Sequence, residues 1–227
     1  MPTVLVTGAG RGIGLALARQ YAAEGWRVIA TVRNPAGADA LRGLPGDIRV
    51  EPLEVTDDAA IAALARSLSG VRIDVLFNNA GIAGRESGTL GRLDTDVWMQ
   101  TLRINTVAPI RIAEALVEQV AASDQKKMAF VTSRLGSIAL NDAGGRYAYN
   151  SSKAALNMAA KSLSVDLRPR GIAVTVLHPG HVRTDMGGAA APVLPEESAA
   201  GMRRVVDGLT LEESGGFFNY DGSRIPW

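Results

Sequence analysis

Short apolar runs rich in Val, Ile and Leu alternate along the chain with longer stretches in which Ala and Leu recur at helical spacing. The short runs predict strands over Thr3–Thr7, Arg27–Val32, Ile48–Leu53, Ile73–Phe77, Met128–Thr132, Ala173–His178 and Phe217–Tyr220. The longer ones predict helices over Leu15–Glu24, Asp58–Leu68, Asp96–Ala122 and Ala154–Leu167. Strands and helices in alternation specify a parallel sheet covered on both faces. Right-handed crossovers then put ligands at the carboxyl ends of the strands, near the point where strand order reverses. No linker is long enough to divide the chain, so residues 1–227 read as one α/β domain. The expected architecture is a Rossmann-like, doubly wound sheet of about seven strands. The biased stretch Gly187–Pro192 reads as a mobile loop.

Composition narrows the function classes. With 227 residues, 47% of them hydrophobic, the chain can bury one large core. A net charge of +1 without any basic or acidic block argues against a nucleic-acid partner. There is no cysteine, which removes disulfides and thiolate chemistry, and two histidines (His178 and His181) are too few for a zinc site, so no metal is expected. The first residues run straight into a strand with no leader pattern, and no apolar run approaches the ~18 residues of a membrane span. A cytoplasmic protein is the expectation.

Chemistry enters after the first strand, at Thr7-Gly8-Ala9-Gly10-Arg11-Gly12-Ile13-Gly14. Glycines between a strand and a helix permit a tight turn and close backbone approach to a pyrophosphate seated on the helix N-terminus. Gly8, Arg11, Gly12, Ile13 and Gly14 are therefore candidate dinucleotide contacts. An NAD-binding chain carries an acidic residue at the end of the second strand, to take the ribose 2′-hydroxyl. Here that position holds Arg33, suited to a 2′-phosphate, and Arg11 offers a second charge, which points to NADP(H). Further along, Tyr149 and Lys153 stand four apart in Tyr-Asn-Ser-Ser-Lys, on one face of a helix. A nearby cation lowers a phenol's pKa and makes Tyr149 a usable general acid or base. Tyr147 is six residues from Lys153, about 120° off its face, against ~40° for Tyr149. Tyr147 either lines a pocket or packs beneath it.

Taken together these motifs resemble the short-chain dehydrogenase/reductase family, and the likeness runs over nearly the whole chain. Thr7, Gly8, Gly12 and Gly14 match its glycine motif, and Asn78-Asn79-Ala80-Gly81 its segment after strand four. Asn105 in Arg-Ile-Asn-Thr, Ser133 after strand five, Tyr149 with Lys153, and Pro179-Gly180 with Thr184 follow in the family's order. Segments such as Leu135-Gly-Ser-Ile, Thr184-Asp-Met-Gly-Gly and Gly216-Phe-Phe-Asn-Tyr-Asp-Gly are similar to the C-factor and Sniffer-type carbonyl reductases.

The resemblance implies an NADPH-dependent reductase of aldehyde, ketone or quinone-like carbonyls, working on a small-molecule carbonyl or alcohol. Tyr149 is then the acid, Lys153 its modulator and a holder of the nicotinamide ribose, Ser133 the carbonyl's hydrogen-bond partner, and Asn105 the holder of a linking water. Asn79, Ala80 and Gly81 contact the adenosine half, and Pro179, Gly180, Val182 and Thr184 fold over the nicotinamide. Glu54 and Val55 stand where the family has Asp-Val or Asp-Leu against the adenine, with one methylene more. Ser137 is a lesser candidate than Ser133. Arg134, Leu135, Asn141, His181 and Met186 are candidates for the pocket's far wall, where Arg134 either draws an acidic substrate or forms an outward ion pair. His181 reads as a loop-packing residue, and any lid comes from Gly187–Glu197. Apolar excess on Asp96–Ala122 and Ala148–Leu167 implies a homodimer or homotetramer. A second class, an NADP(H)-binding regulatory or signalling protein of the same fold with catalysis secondary, stays open.

Overall fold

The computed structural model describes residues 1–227, the side chain of Glu86 excepted. Seven strands form one sheet: β1 (Thr3–Val6), β2 (Arg27–Val32), β3 (Ile48–Pro52), β4 (Val75–Asn78), β5 (Lys127–Val131), β6 (Ala173–His178) and β7 (Gly216–Asn219). Their order is β3-β2-β1-β4-β5-β6-β7, and every pairing is parallel. Strand order reverses between β1 and β4, which opens a crevice at their carboxyl ends.

Alternation along the strands sorts the core onto two faces. In β1, Val4 and Val6 join a cluster with Leu17 and Tyr21 of α1 (Gly12–Ala23) and Met202 and Val206 of α8 (Pro195–Asp207). Leu5, between them, faces the opposite cluster. That second layer is built by Ile61 and Leu64 of α3 (Asp58–Ser67), Ile112 of α5 (Ala108–Ala115) and Leu156 and Ala160 of α7 (Tyr147–Asp166). A short α2 (Asp39–Arg42) follows β2.

Three departures from the sequence reading concern helices. The predicted helix Asp96–Ala122 is divided into α4 (Thr95–Leu102), a π-helical turn at Arg103–Val107, α5, and α6 (Val117–Ala121) after a break at Leu116. The expected lid, Gly187–Glu197, is not free: Arg183 N–H donates to Val193 O and Val193 N–H to His181 O, and its last residues already belong to α8. Pro195 at the start of that helix and Glu196 and Glu197 in its first turn suit an N-terminus. Lastly, α7 begins seven residues before Ala154, at Tyr147. No helix among the described residues is long and apolar enough to cross a membrane.

Candidate functional site

The glycine loop turns sharply because Gly8 and Gly12 adopt φ of +65° and +54°, values that exclude most side chains. At Gly14 space decides instead, since a Cβ there would lie 2.4 Å from Gly8 O. Asn79 staples the turn to β4, its Nδ2 donating to Thr7 O at 3.0 Å while its own N–H donates to Thr7 Oγ1 at 2.9 Å. Ala80 N–H shares that hydroxyl. Behind the turn, α1 starts without a side-chain cap and with no acidic residue in its first turn. Its leading N–H groups therefore face the crevice with no side-chain partner, the arrangement that seats an anion. The cradle fits the pyrophosphate of a dinucleotide.

Arg33 is exposed at the end of β2 and makes no ion pair or hydrogen bond among the described residues. Arg11 differs: its guanidinium pairs with Asp185 at 2.6 Å, both side chains largely in solvent. Glu54 is turned onto its own loop, Oε1 accepting from Thr56 N–H and Oγ1–H. Val55 lines a small surface groove with Arg103 and Arg111.

At the other end of the crevice, Ser133 lies two residues past the end of β5 and Tyr149 sits in the first turn of α7. Lys153 is buried one turn on, its Nζ 5.8 Å from the Tyr149 ring centre and donating to Val131 O at 2.9 Å. Burial raises the Tyr149 phenol above its ordinary pKa, while the Ser133 hydroxyl and the Arg146 charge oppose the rise. Burial also pulls Lys153 down to about 8. Spacing alone predicts that the cation lowers the phenol. In the folded chain desolvation wins at both groups, because each loses more hydration than its neighbour returns.

Asn105 lies in the π-helical turn, fully buried. Its amide is spent on protein groups: Nδ2 donates to Ile82 O and Ser152 Oγ, and Oδ1 accepts from Ile82 N–H. Ser152 Oγ–H in turn donates to Tyr149 O. Asn105 thus ties the loop after β4 to the helix that carries Tyr149 and Lys153. Gly81 completes the joint, since a Cβ there would lie 3.1 Å from Asn105 Oδ1 and 3.6 Å from Lys153 Nζ.

After β6, Pro179, Gly180, Val182 and Thr184 lead back toward the glycine loop. Pro179 O accepts from Ser198 Oγ, Gly180 (φ +85°) abuts the Tyr220 ring, and Val182 is buried in a bridge to Val193. The Thr184 methyl stands 3.1 Å from where a Gly12 Cβ would be. Arg11 holds Asp185, and Arg85 donates to Met186 O, so this strap is pinned on both sides of the crevice.

A family profile described as short chain dehydrogenase matches residues 2–193. The chain belongs to the short-chain dehydrogenase family. Over 165 residues it is 46% identical to C-signal of Myxococcus xanthus, covering 73% of this chain and 99% of that protein. Carbonyl reductase Sniffer of D. melanogaster superposes with a TM-score of 0.93 at 35% identity, over 100% of both chains. An NADPH-bound carbonyl reductase from chicken fatty liver does so with 0.92 at 35% identity, over 100% of this chain and 99% of that one. The carbonyl-reductase branch of the short-chain dehydrogenases is thus where this chain lies.

Around this short-chain dehydrogenase site several residues are placed by contacts that local sequence does not show. Ser137 donates to Pro226 O, and Ala139 N–H to Trp227 O, so the last residues wall the site and Ser137 is engaged there. Tyr147 packs on Trp98, ring centres 6.1 Å apart. His181 Nε2 lies 2.9 Å from Gly187 O, holding its own loop. Ser152, Arg146 and Asp185 went unmarked; Ser152 alone had a signal, three residues after Tyr149 on the same helix.

Proposed function

We propose that the protein is an NADPH-dependent oxidoreductase that reduces aldehyde, ketone or quinone-like carbonyls to alcohols. One observation carries this reading: the Ser133 hydroxyl, the Tyr149 phenol and the Lys153 ammonium gather at the carboxyl end of β5, across the crevice from an uncapped helix N-terminus. Bound NADPH supplies the hydride. The chain's own residues supply position and proton. Uncapped N–H groups of Gly12, Ile13 and Gly14 seat the pyrophosphate. Arg33 takes the 2′-phosphate, with Arg11 released from Asp185 as a second partner. Asn79, Ala80 and Gly81, with Glu54 and Val55, border the adenosine half. Pro179, Gly180, Val182 and Thr184 cover the other end.

Ser133 donates to the substrate oxygen and holds the charge that develops on it. Tyr149, kept protonated by burial, gives its phenolic proton to that oxygen. Lys153, protonated near neutral pH, stabilises the phenolate left behind and reaches the ribose. Asn105 fixes the loop and helix that frame this transfer. The likeness to an NADPH-bound carbonyl reductase supports the cofactor assignment. We read Met99, Val107, Met158 and Val165, all exposed on the α4–α5 and α7 surfaces, as contacts with a second copy in a homodimer or homotetramer. The cytoplasm is the proposed compartment.

Tyr149→Phe tests the reading. NADPH oxidation with a panel of aldehydes and ketones is expected to fall roughly 100-fold or more, with NADPH binding retained; equal rates would overturn it. A signalling role with catalysis secondary is favoured by the identity to C-signal. In that case the inert Tyr149→Phe protein keeps the biological activity of the parent.

A further inference from the structure

A cavity of about 300 Å³ opens at the carboxyl ends of β5, β6 and β7. It lies beside the Ser133–Tyr149 end of the crevice without including it: its wall residue Arg134 is next in the chain to Ser133. Two arginines and two histidines converge on it: Arg134, Arg224, His178 and His181. No carboxylate lines it among the described residues. Leu140, Val193 and Ile225 supply apolar wall, which lowers the local dielectric and strengthens any ionic contact made inside.

The cations have little else to do. Arg134 forms no ion pair among the described residues, which removes the outward salt bridge as its role. Arg224 lies over the Phe218 ring at 4.8 Å and reaches Glu213 only at 3.9 Å, with both side chains well exposed. The other acids nearby are committed. Asp221 accepts from Ser223 N–H, Ser223 Oγ–H and Asn219 Nδ2, and Glu197 accepts from Tyr220 OH. His178 Nδ1 is buried with no partner. Burial, with Arg134 beside it and against the pull of Asp221, holds that imidazole down to about 4, so it stays neutral at ordinary pH and leaves the two arginines as the cavity's charges. These groups sit at the β5–β7 end of the sheet, away from the Gly8–Gly14 loop and Arg33, so they do not serve a dinucleotide's phosphates.

We propose that this cavity receives an anionic substituent of the substrate, so that the preferred carbonyl compounds carry a carboxylate held by Arg134 and Arg224. The inference rests on the reductase reading for its reacting end, and binding and turnover separate the two. The probes are para-carboxybenzaldehyde, a longer ω-oxo carboxylic acid, and their methyl esters, compared by calorimetric titration into the NADP-loaded protein and by NADPH oxidation. At least one acid is expected to bind and to react roughly tenfold better than its ester, with the preference shrinking as salt is raised. Arg134→Gln and Arg224→Gln are each expected to cut that acid-to-ester ratio severalfold; the exposed Arg134 makes the first variant safe for folding. Reduction of acids and esters at equal efficiency, or a ratio unmoved in both variants, overturns the proposal and leaves the reductase reading standing. Selective binding of the acids without turnover of any probe does the reverse. Neither binding nor turnover overturns both.

Discussion

Arg33 stands where the proposed cofactor site would take its charge preference. Its guanidinium ends β2 in solvent with no ionic partner among the described residues, whereas Arg11 already holds Asp185. A group with nothing to give up contributes its full interaction to a 2′-phosphate, while Arg11 must first break a pair. Arg33→Ala is therefore expected to lower the ratio of kcat/KM for NADPH over NADH about tenfold or more, and Arg11→Ala by less. Steady-state kinetics with both cofactors read this out. At this scale much of the candidate site was legible. Spacing alone put Tyr149 and Lys153 on one face, and the glycine positions followed from what a turn permits. The protonation balance was not legible, because it depends on how much water folding strips from each group, and burial is a tertiary property.

Helix starts were legible where a side chain announces them. Asp57 accepts from Ala59 and Ala60 N–H groups to open α3, and Asp94 accepts from Asp96 and Val97 at 3.0 Å each to open α4. Asp94→Ala is expected to cost about 1 kcal/mol in urea unfolding, the usual loss of an N-cap. The helix that carries Tyr149 and Lys153, α7, has no such announcement. It begins after Arg146, a non-glycine residue at φ +47° that follows Gly144 and Gly145, both also left-handed. That left-handed run offers no capping side chain, so the start of α7 at Tyr147 was not legible, although the spacing of Tyr149 and Lys153 placed both on one helix. Pro195, Glu196 and Glu197 signal the start of α8 directly after a Gly/Ala run of loop composition.

Across the whole molecule, buried bases set the pH window of stability. His178 falls from 6.5 to about 4 in the folded chain, so the unfolded chain binds a proton that the native one refuses between those values. Stability is lost as pH falls through that range, by about 2 kcal/mol between pH ~7 and ~5. Lys153 falls from 10.5 to about 8, and by the same sign stability rises as pH climbs from about 8 toward 10. Tyr21 and Tyr149, both raised, withdraw stability above about 10. Urea midpoints are expected to increase from pH ~5 to ~10 and then decline; a flat profile between ~5 and ~7 would contradict the burial of His178 as neutral imidazole. The seven strands and their parallel pairing were readable from hydrophobic runs at this scale. The walls contributed by Pro226 and Trp227 were not, since only the closed fold brings them to Ser137 and Ala139.

The π-helical turn makes chain length itself a constraint. Ala108 N–H reaches back to Arg103 O, one residue farther than an α-helical rung. Loss of a single residue between Arg103 and Val107 would close that rung to the ordinary spacing, and because the wide turn is what absorbs the extra residue, α5 would keep its face toward the core. Ile112 and Ala113 would stay buried, while Asn105 would lose the turn that holds it against Ile82 and Ser152. A shortened turn would thus spare the fold and undo the joint between the loop after β4 and α7.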